Sequence, residues 1–241
     1  MPDYTCLPGT REPNAGDTIL VILHQERSTP GRIGQMLSQR GFFLDVRRPA
    51  LGDSLPDTMD RYHAAIIFGG PMSANDKDDF IARETDWISV PLDAGKPFLG
   101  VCLGAQLLAK HVGGSVDSHP DGIVEIGYYP IQSTACGEDL VPWPNVVYQW
   151  HSEWMRPPDG VDVLAVGEGG EVQAFRTGSR AYGIQFHAEL TLAMMHRWTT
   201  RGARRFSLKG AQVRQQHFTG RLRYDPVVKI WLASFLDNWL S

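Results

Sequence analysis

The chain has 241 residues, 42% of them hydrophobic, enough to bury one sizeable core in a single α/β domain. Its 23 basic and 27 acidic residues leave a net charge of −4, which gives no global reason to expect a nucleic-acid partner. Three cysteines (Cys6, Cys102, Cys136) without C-x-x-C spacing argue against a disulfide framework and a zinc site, and suit a reducing cytoplasm.

Residues 1–17 are polar and rich in proline and glycine, and are expected to be loosely held. Residues 18–241 read as one domain. Met1-Pro2-Asp3-Tyr4 does not open a signal peptide, and no apolar run approaches 18 residues, so no membrane contact is expected. Ile19–Leu23 predicts a buried strand. Ser28-Thr29-Pro30 then offers a capping residue and a proline for a first helical turn, with Ile33, Met36 and Leu37 as the apolar face up to Gly41. Phe42–Arg47 and Ala64–Phe68 predict strands. Residues 78–94 predict a helix with Trp87 and Ile88 inward, shortened or kinked by Pro91. A strand at Phe98–Val101 runs into Cys102. Leu103, Leu107, Leu108 and Val112 then recur at helical spacing up to Gly113-Gly114.

Beyond Gly114 the pattern changes to short strands separated by turn residues: Gly122–Gln132, Val146–His151, Val161–Val166, Val172–Phe175 and Ala181–Phe186. A final helix over about Pro226–Leu240 places Val227, Ile230, Trp231, Phe235, Leu236 and Trp239 at helical spacing, a stripe expected to pack into the core. The whole predicts an α/β fold. Its doubly wound, mostly parallel, flavodoxin-like sheet is extended by antiparallel strands, with a site at the carboxyl ends of the parallel strands.

Three motifs sit at such ends. Gly100-Val101-Cys102-Leu103-Gly104 turns a strand sharply into a helix, and glycines two residues either side let the backbone bend and a substrate approach. A thiol there meets unpaired N–H groups and the positive end of the helix dipole, which favour a thiolate. The competing reading is a buried free cysteine at a strand end. Gly183–Glu189 ends a strand in His187-Ala188-Glu189. Residues two apart face one side, so Glu189 can orient the His187 ring; a metal-ligand pair or a surface pair fits the same spacing. Ala64–Pro71 ends in Gly69-Gly70-Pro71, either a simple turn or a backbone N–H bare enough for an oxyanion.

In this order, Gly69-Gly70-Pro71, Gly100–Gln106 and Gly183–Glu189 resemble the three signatures of the class I (triad-type) glutamine amidotransferase family, of the GMP-synthase-like kind. The resemblance covers roughly residues 18–195. It implies that Cys102 attacks the glutamine γ-amide, that His187 is base and acid, and that Glu189 orients His187. The N–H groups of Gly70 and Leu103 would form the oxyanion hole, Gly69 and Gln106 would contact substrate, and His151 is either a substrate contact, a residue one layer behind it, or a packed histidine. Ala188 departs from the family's usual proline, implying altered loop rigidity. In Gln149-Trp150-His151-Ser152-Glu153, Ser152 and Glu153 replace the usual small-acidic pair. Neither a metal nor an organic cofactor is expected.

The implied reaction is glutamine amide hydrolysis through a γ-glutamyl thioester, releasing ammonia for an acceptor. The chain lacks a nucleotide-binding P-loop motif, so the glutaminase reading calls for a separate synthetase subunit. The alternatives are a stand-alone γ-glutamyl hydrolase or peptidase acting on a γ-glutamyl compound, and a non-catalytic binding relative. His24, His63, His111, His119, His196 and His217 show no metal spacing and read as structural or surface. From Arg197 to Arg223 lie eight basic residues and no acidic one, which is either a solvated face or a docking face for an acidic subunit or anionic acceptor.

Overall fold

The computed structural model describes residues 16–241; most of the segment expected to be loosely held, and Cys6 with it, lies outside them. The first half runs β1 (Thr18–Ile22), α1 (Gly31–Gln39), β2 (Phe43–Arg47), β3 (Tyr62–Ile67), α2 (Asp79–Trp87), α3 (Ser89–Asp93), β4 (Phe98–Val101) and α4 (Leu103–His111). Next come β5 (Ser115–Ser118), β6 (Glu125–Ser133), α5 (Ala135–Glu138), β7 (Val146–His151), β8 (Glu153–Arg156) and β9 (Asp162–Gly167). Then follow β10 (Val172–Thr177), β11 (Ala181–Ile184), α6 (Leu192–Arg201) and α7 (Arg214–Leu240).

Nine strands form one sheet in the order β2-β1-β3-β4-β11-β10-β9-β6-β7. The strands β2, β1, β3, β4 and β11 are mutually parallel, and from β11 outward every pairing is antiparallel. The antiparallel pair β5–β8 stands apart. This is the expected class: a doubly wound, mostly parallel sheet in the first half, extended by antiparallel strands. The physical cause is burial on both faces. Ile19 and Val21 of β1 point into a core with Ile33 and Leu37 of α1 and with Trp231, Phe235 and Trp239 of α7. Leu20 and Ile22 point the other way, against Ile81 of α2 and Leu107 and Leu108 of α4.

One helix is broken as its proline implies, with Trp87 and Ile88 buried as expected, and another departs from expectation. The segment 78–94 is two helices divided at Ile88, because Pro91 has no N–H to offer the carbonyl of Trp87. In α7, Trp231, Phe235, Leu236 and Trp239 are buried, but Val227 and Ile230 are 53% and 70% exposed. The inward stripe runs through Val228, Trp231, Leu232, Phe235, Leu236 and Trp239, and at 100° per residue position 230 falls on the opposite side and position 227 on the stripe's flank. That helix also starts earlier than expected, at Arg214, and carries Pro226 within it. No helix among the described residues is long and apolar enough to cross a membrane.

Candidate active site

Four chain segments leave the carboxyl ends of parallel strands side by side: His24 after β1, Gly69-Gly70 after β3, Cys102 after β4 and His187 after β11. Because β11 lies directly against β4, with Ile184 opposite Val101, the 85 residues (187 − 102) between thiol and imidazole collapse to a neighbouring-strand distance. Cys102 itself bonds from its N–H to the carbonyl of Ile184, 2.8 Å away.

The turn at Cys102 explains its glycines. Cys102 has φ +53° and ψ −106°, and it is the one non-glycine residue with positive φ among those described. A Cβ on Gly100 would lie 2.4 Å from the carbonyl oxygen of Gly104, and one on Gly104 would lie 2.0 Å from that of Ile67. Only bare backbone lets α4 start this close to β3 and β4, leaving Cys102 at the N-terminus of α4 with the first-turn N–H groups unpaired by the helix.

Gly69 touches both partners. A Cβ there would sit 3.0 Å from His187 Cε1, 3.3 Å from Cys102 Cβ and 3.8 Å from Cys102 Sγ. His187 is buried, and its Nδ1 lies 2.8 Å from Glu189 Oε1. The carboxylate only accepts, so Nδ1 carries the proton and Nε2 is left for the thiol side. Desolvation of the ring would lower its pKa. The charges of Glu189 and Cys102, and hydrogen bonds to both, outweigh it and raise the value to about 10. Trp198 of α6 packs edge-on against the His187 ring, with centroids 4.7 Å apart. The turn carrying Glu189 is clamped from α1: the Arg32 N–H donates to the Glu189 carbonyl at 2.8 Å, and Gly31 lies so close that a Cβ would meet that oxygen at 2.2 Å.

Cys102, Leu103, Gln106, Gly69, Gly70, His151, His187 and Glu189 line a single cavity of about 850 Å³. Within it, Gln106 donates from Nε2 to the Glu153 carbonyl (2.9 Å), and the Glu153 carboxylate accepts from the Ser73 hydroxyl (2.9 Å). His151 is buried edge-on against Trp154. Its Nε2 lies 2.9 Å from Glu125 Oε2, but at an angle that makes no hydrogen bond. No cluster of metal-ligating side chains occurs among the described residues, so the metal-ligand reading of His187 and Glu189 has no third partner. Cys136 is exposed on α5, away from this cavity.

The class-I glutamine amidotransferase family model matches residues 26–202. The chain belongs to that family. It is 30% identical over 181 residues to the glutamine amidotransferase-like protein YfeJ of Salmonella typhimurium, covering 71% of this chain and 75% of that one. Against the glutamine-hydrolysing GMP synthase of Aeropyrum pernix it is 30% identical over 161 residues, 66% of this chain but only 30% of that protein. A glutamine amidotransferase structure from Thermotoga maritima superposes with a TM-score of 0.83 at 28% identity, covering 95% of this chain and 99% of that one.

For this amidotransferase domain, the sequence motifs miss three neighbours of the site. His24 is buried, with Nδ1 3.2 Å from the Gly69 carbonyl oxygen and Nε2 2.9 Å from Oε2 of the equally buried Glu84 on α2. Its place directly after the apolar strand Ile19–Leu23 is the same strand-end position that marks the other motifs, and is the signal that singles it out. Trp198 lies within a charge-dense stretch that hides its helix. Arg205 follows α6 in a 3₁₀ turn (Ala203–Ser207) and lines the cavity beside Ser152.

Proposed function

We propose that this glutamine amidotransferase-family chain hydrolyses the γ-amide of glutamine through Cys102, His187 and Glu189, by way of a γ-glutamyl thioester. The observation that carries this reading is the convergence of the strained Cys102 turn, the His187–Glu189 pair and the bare Gly69-Gly70 backbone on one cavity. With its raised pKa, His187 is an imidazolium at neutral pH, poised beside a thiolate at the N-terminus of α4.

The Cys102 thiolate adds to the γ-carbonyl carbon, and the resulting oxyanion rests on the N–H groups of Gly70 and Leu103. His187 gives its proton to the departing nitrogen as the C–N bond breaks, releasing ammonia and leaving the thioester. Neutral His187 then takes a proton from water as the water oxygen adds to the same carbon. Collapse breaks the C–S bond, releasing glutamate and restoring the thiolate–imidazolium pair. Glu189 keeps the proton on Nδ1 and stabilises the imidazolium each time it forms.

His24 fits this scheme as a positioning residue. The Gly69 carbonyl and the Gly70 N–H belong to one planar peptide and point in opposite directions. Contact of His24 Nδ1 with that carbonyl oxygen, 3.2 Å away, therefore restrains the peptide that aims the N–H the other way. A separate synthetase subunit is the partner this reading calls for, since the matched span corresponds to 30% of the A. pernix GMP synthase. Ammonia release from glutamine by the purified chain, and its loss in Cys102→Ala with the fold retained, tests the reading. Full turnover in Cys102→Ala overturns it.

A further inference from the structure

We propose that the cavity wall formed by Arg201, Arg204 and Arg205 is a subsite for a carboxylate of the substrate. This rests on the reading of the chain as a hydrolase of γ-glutamyl amides. The basic stretch from Arg197 onward is folded so that α6, the turn at Gly202 and the following 3₁₀ turn lie along the cavity that holds Cys102. Gly202 makes that approach possible, since a Cβ there would meet the Trp150 ring at 2.5 Å. Arg201, Arg204 and Arg205 thus line the concavity that holds Cys102, Arg205 half-buried within it and Arg201 and Arg204 at its exposed rim.

The arginines have no counter-ion among the described residues: none of the ion pairs there includes Arg201, Arg204 or Arg205. Of the carboxylates lining the cavity, Glu189 accepts from His187 and Glu153 from Ser73, and Glu26 is exposed at the rim. Arg205 is half-buried, and its side chain has a single long hydrogen bond, 3.4 Å, to the Ser152 hydroxyl. Burial and the neighbouring Arg204 charge press its pKa down, while the charge of Cys102 opposes them. A partly desolvated guanidinium fork with unused donors suits the paired oxygens of a carboxylate. A cavity of about 850 Å³ also exceeds what a single small amino acid occupies, lying within the range of drug-sized ligand sites, roughly 300–1,000 Å³. Two carboxylates are available in the substrate class: the α-carboxylate of the glutamyl group, and one on the leaving amine when that amine is an amino acid.

Steady-state kinetics of the whole chain separate these sources, using glutamine, γ-glutamylglycine and γ-glutamylmethylamide. Arg205→Met, and the double variant Arg201→Gln with Arg204→Gln, are expected to raise KM roughly 10- to 100-fold with kcat little changed, and Arg205→Lys to recover part of the loss. A rise on all three substrates assigns the subsite to the α-carboxylate. A rise confined to γ-glutamylglycine, with the wild type preferring it over the methylamide, assigns it to the leaving amine. Unchanged KM on every substrate, or loss of kcat alone, overturns the subsite while the hydrolase reading stands. Unchanged KM together with loss of salt-sensitive capture of an acidic protein reassigns the arginines to partner docking and likewise overturns it. A wild type that cleaves none of the three overturns the hydrolase reading, and the subsite with it.

Discussion

A non-glycine backbone at φ +53° costs on the order of 1–3 kcal/mol, and Cys102 is held there by β4, α4 and the glycines around it. A glutamine-shaped electrophile is therefore expected to label Cys102 and to spare Cys6 and Cys136, as read by peptide mass mapping. The pH profile follows from His187. Its raised value means the charged form persists well above the ordinary histidine range, so kcat/KM should hold through pH 8 and fall as pH approaches about 10. Glu189→Gln removes the carboxylate charge that raises it. The alkaline limb should then move to lower pH, with turnover reduced about 10²-fold; an unmoved limb would separate Glu189 from the proton transfers. His24→Leu leaves the Gly69 carbonyl unheld and Glu84 buried without its partner. We expect kcat for glutamine to fall about 10²–10³-fold with KM little changed, in the range for a lost oxyanion donor. Alkylation of Cys102 by iodoacetamide forms no oxyanion and should proceed at the wild-type rate; slowed alkylation would reduce His24 to a packing role.

The helix after Cys102 depends on two contacts that only glycine permits. Gly104→Ala would drive a methyl into the Ile67 carbonyl, and is expected to lower the thermal midpoint and displace α4 together with Cys102. Activity and melting temperature should fall together, unlike in Cys102→Ala. At this scale the parallel strands were legible, because they are short apolar runs bounded by glycine and proline. The motifs were legible because each ends such a run. Helices α1 and α4 and strands β6, β7, β9 and β10 were legible as well, from their apolar spacing and the turn residues between them, whereas β5, β8, α5 and α6 were not. Strands β5 and β8 are four residues each and offer too little alternation to read. In α6, Met194, Met195 and Trp198 form an apolar face, but arginines and histidine between them mask it. The stripe on α7 was legible in its aromatic residues and not in Val227 and Ile230, whose spacing fits a helix but whose phase falls outside the inward stripe. His24 was missed because a lone histidine carries no spacing; its place at the end of β1 was the one hint in the sequence, and the pairing with Glu84 and Gly69 gives it meaning.

Across the molecule, one sheet separates two apolar cores, and both rest on the same strands: Ile19 and Val21 serve one, Leu20 and Ile22 the other. Neither core survives loss of the sheet between them, so residues 18–241 are expected to unfold as one unit. Far-ultraviolet dichroism and tryptophan fluorescence should trace a single coincident transition in denaturant; two separated transitions would divide the domain.

The position of β11 has a consequence for how the chain is made. It is the final strand in sequence, yet it occupies the middle of the sheet, between β4 and β10. A nascent chain that has emerged only as far as residue 180 has its thiol turn but no histidine to pair with it. Two long edges then stand open where β11 will insert, each a row of unpaired amides able to recruit a neighbouring chain. Closing the sheet and bringing His187 to Cys102 are thus expected to be a single late event during synthesis. Ribosome-stalled chains ending before β11 should bind chaperones and resist labelling by the glutamine-shaped electrophile. Chains extended past Glu189 and clear of the exit tunnel should lose the first property and gain reactivity together.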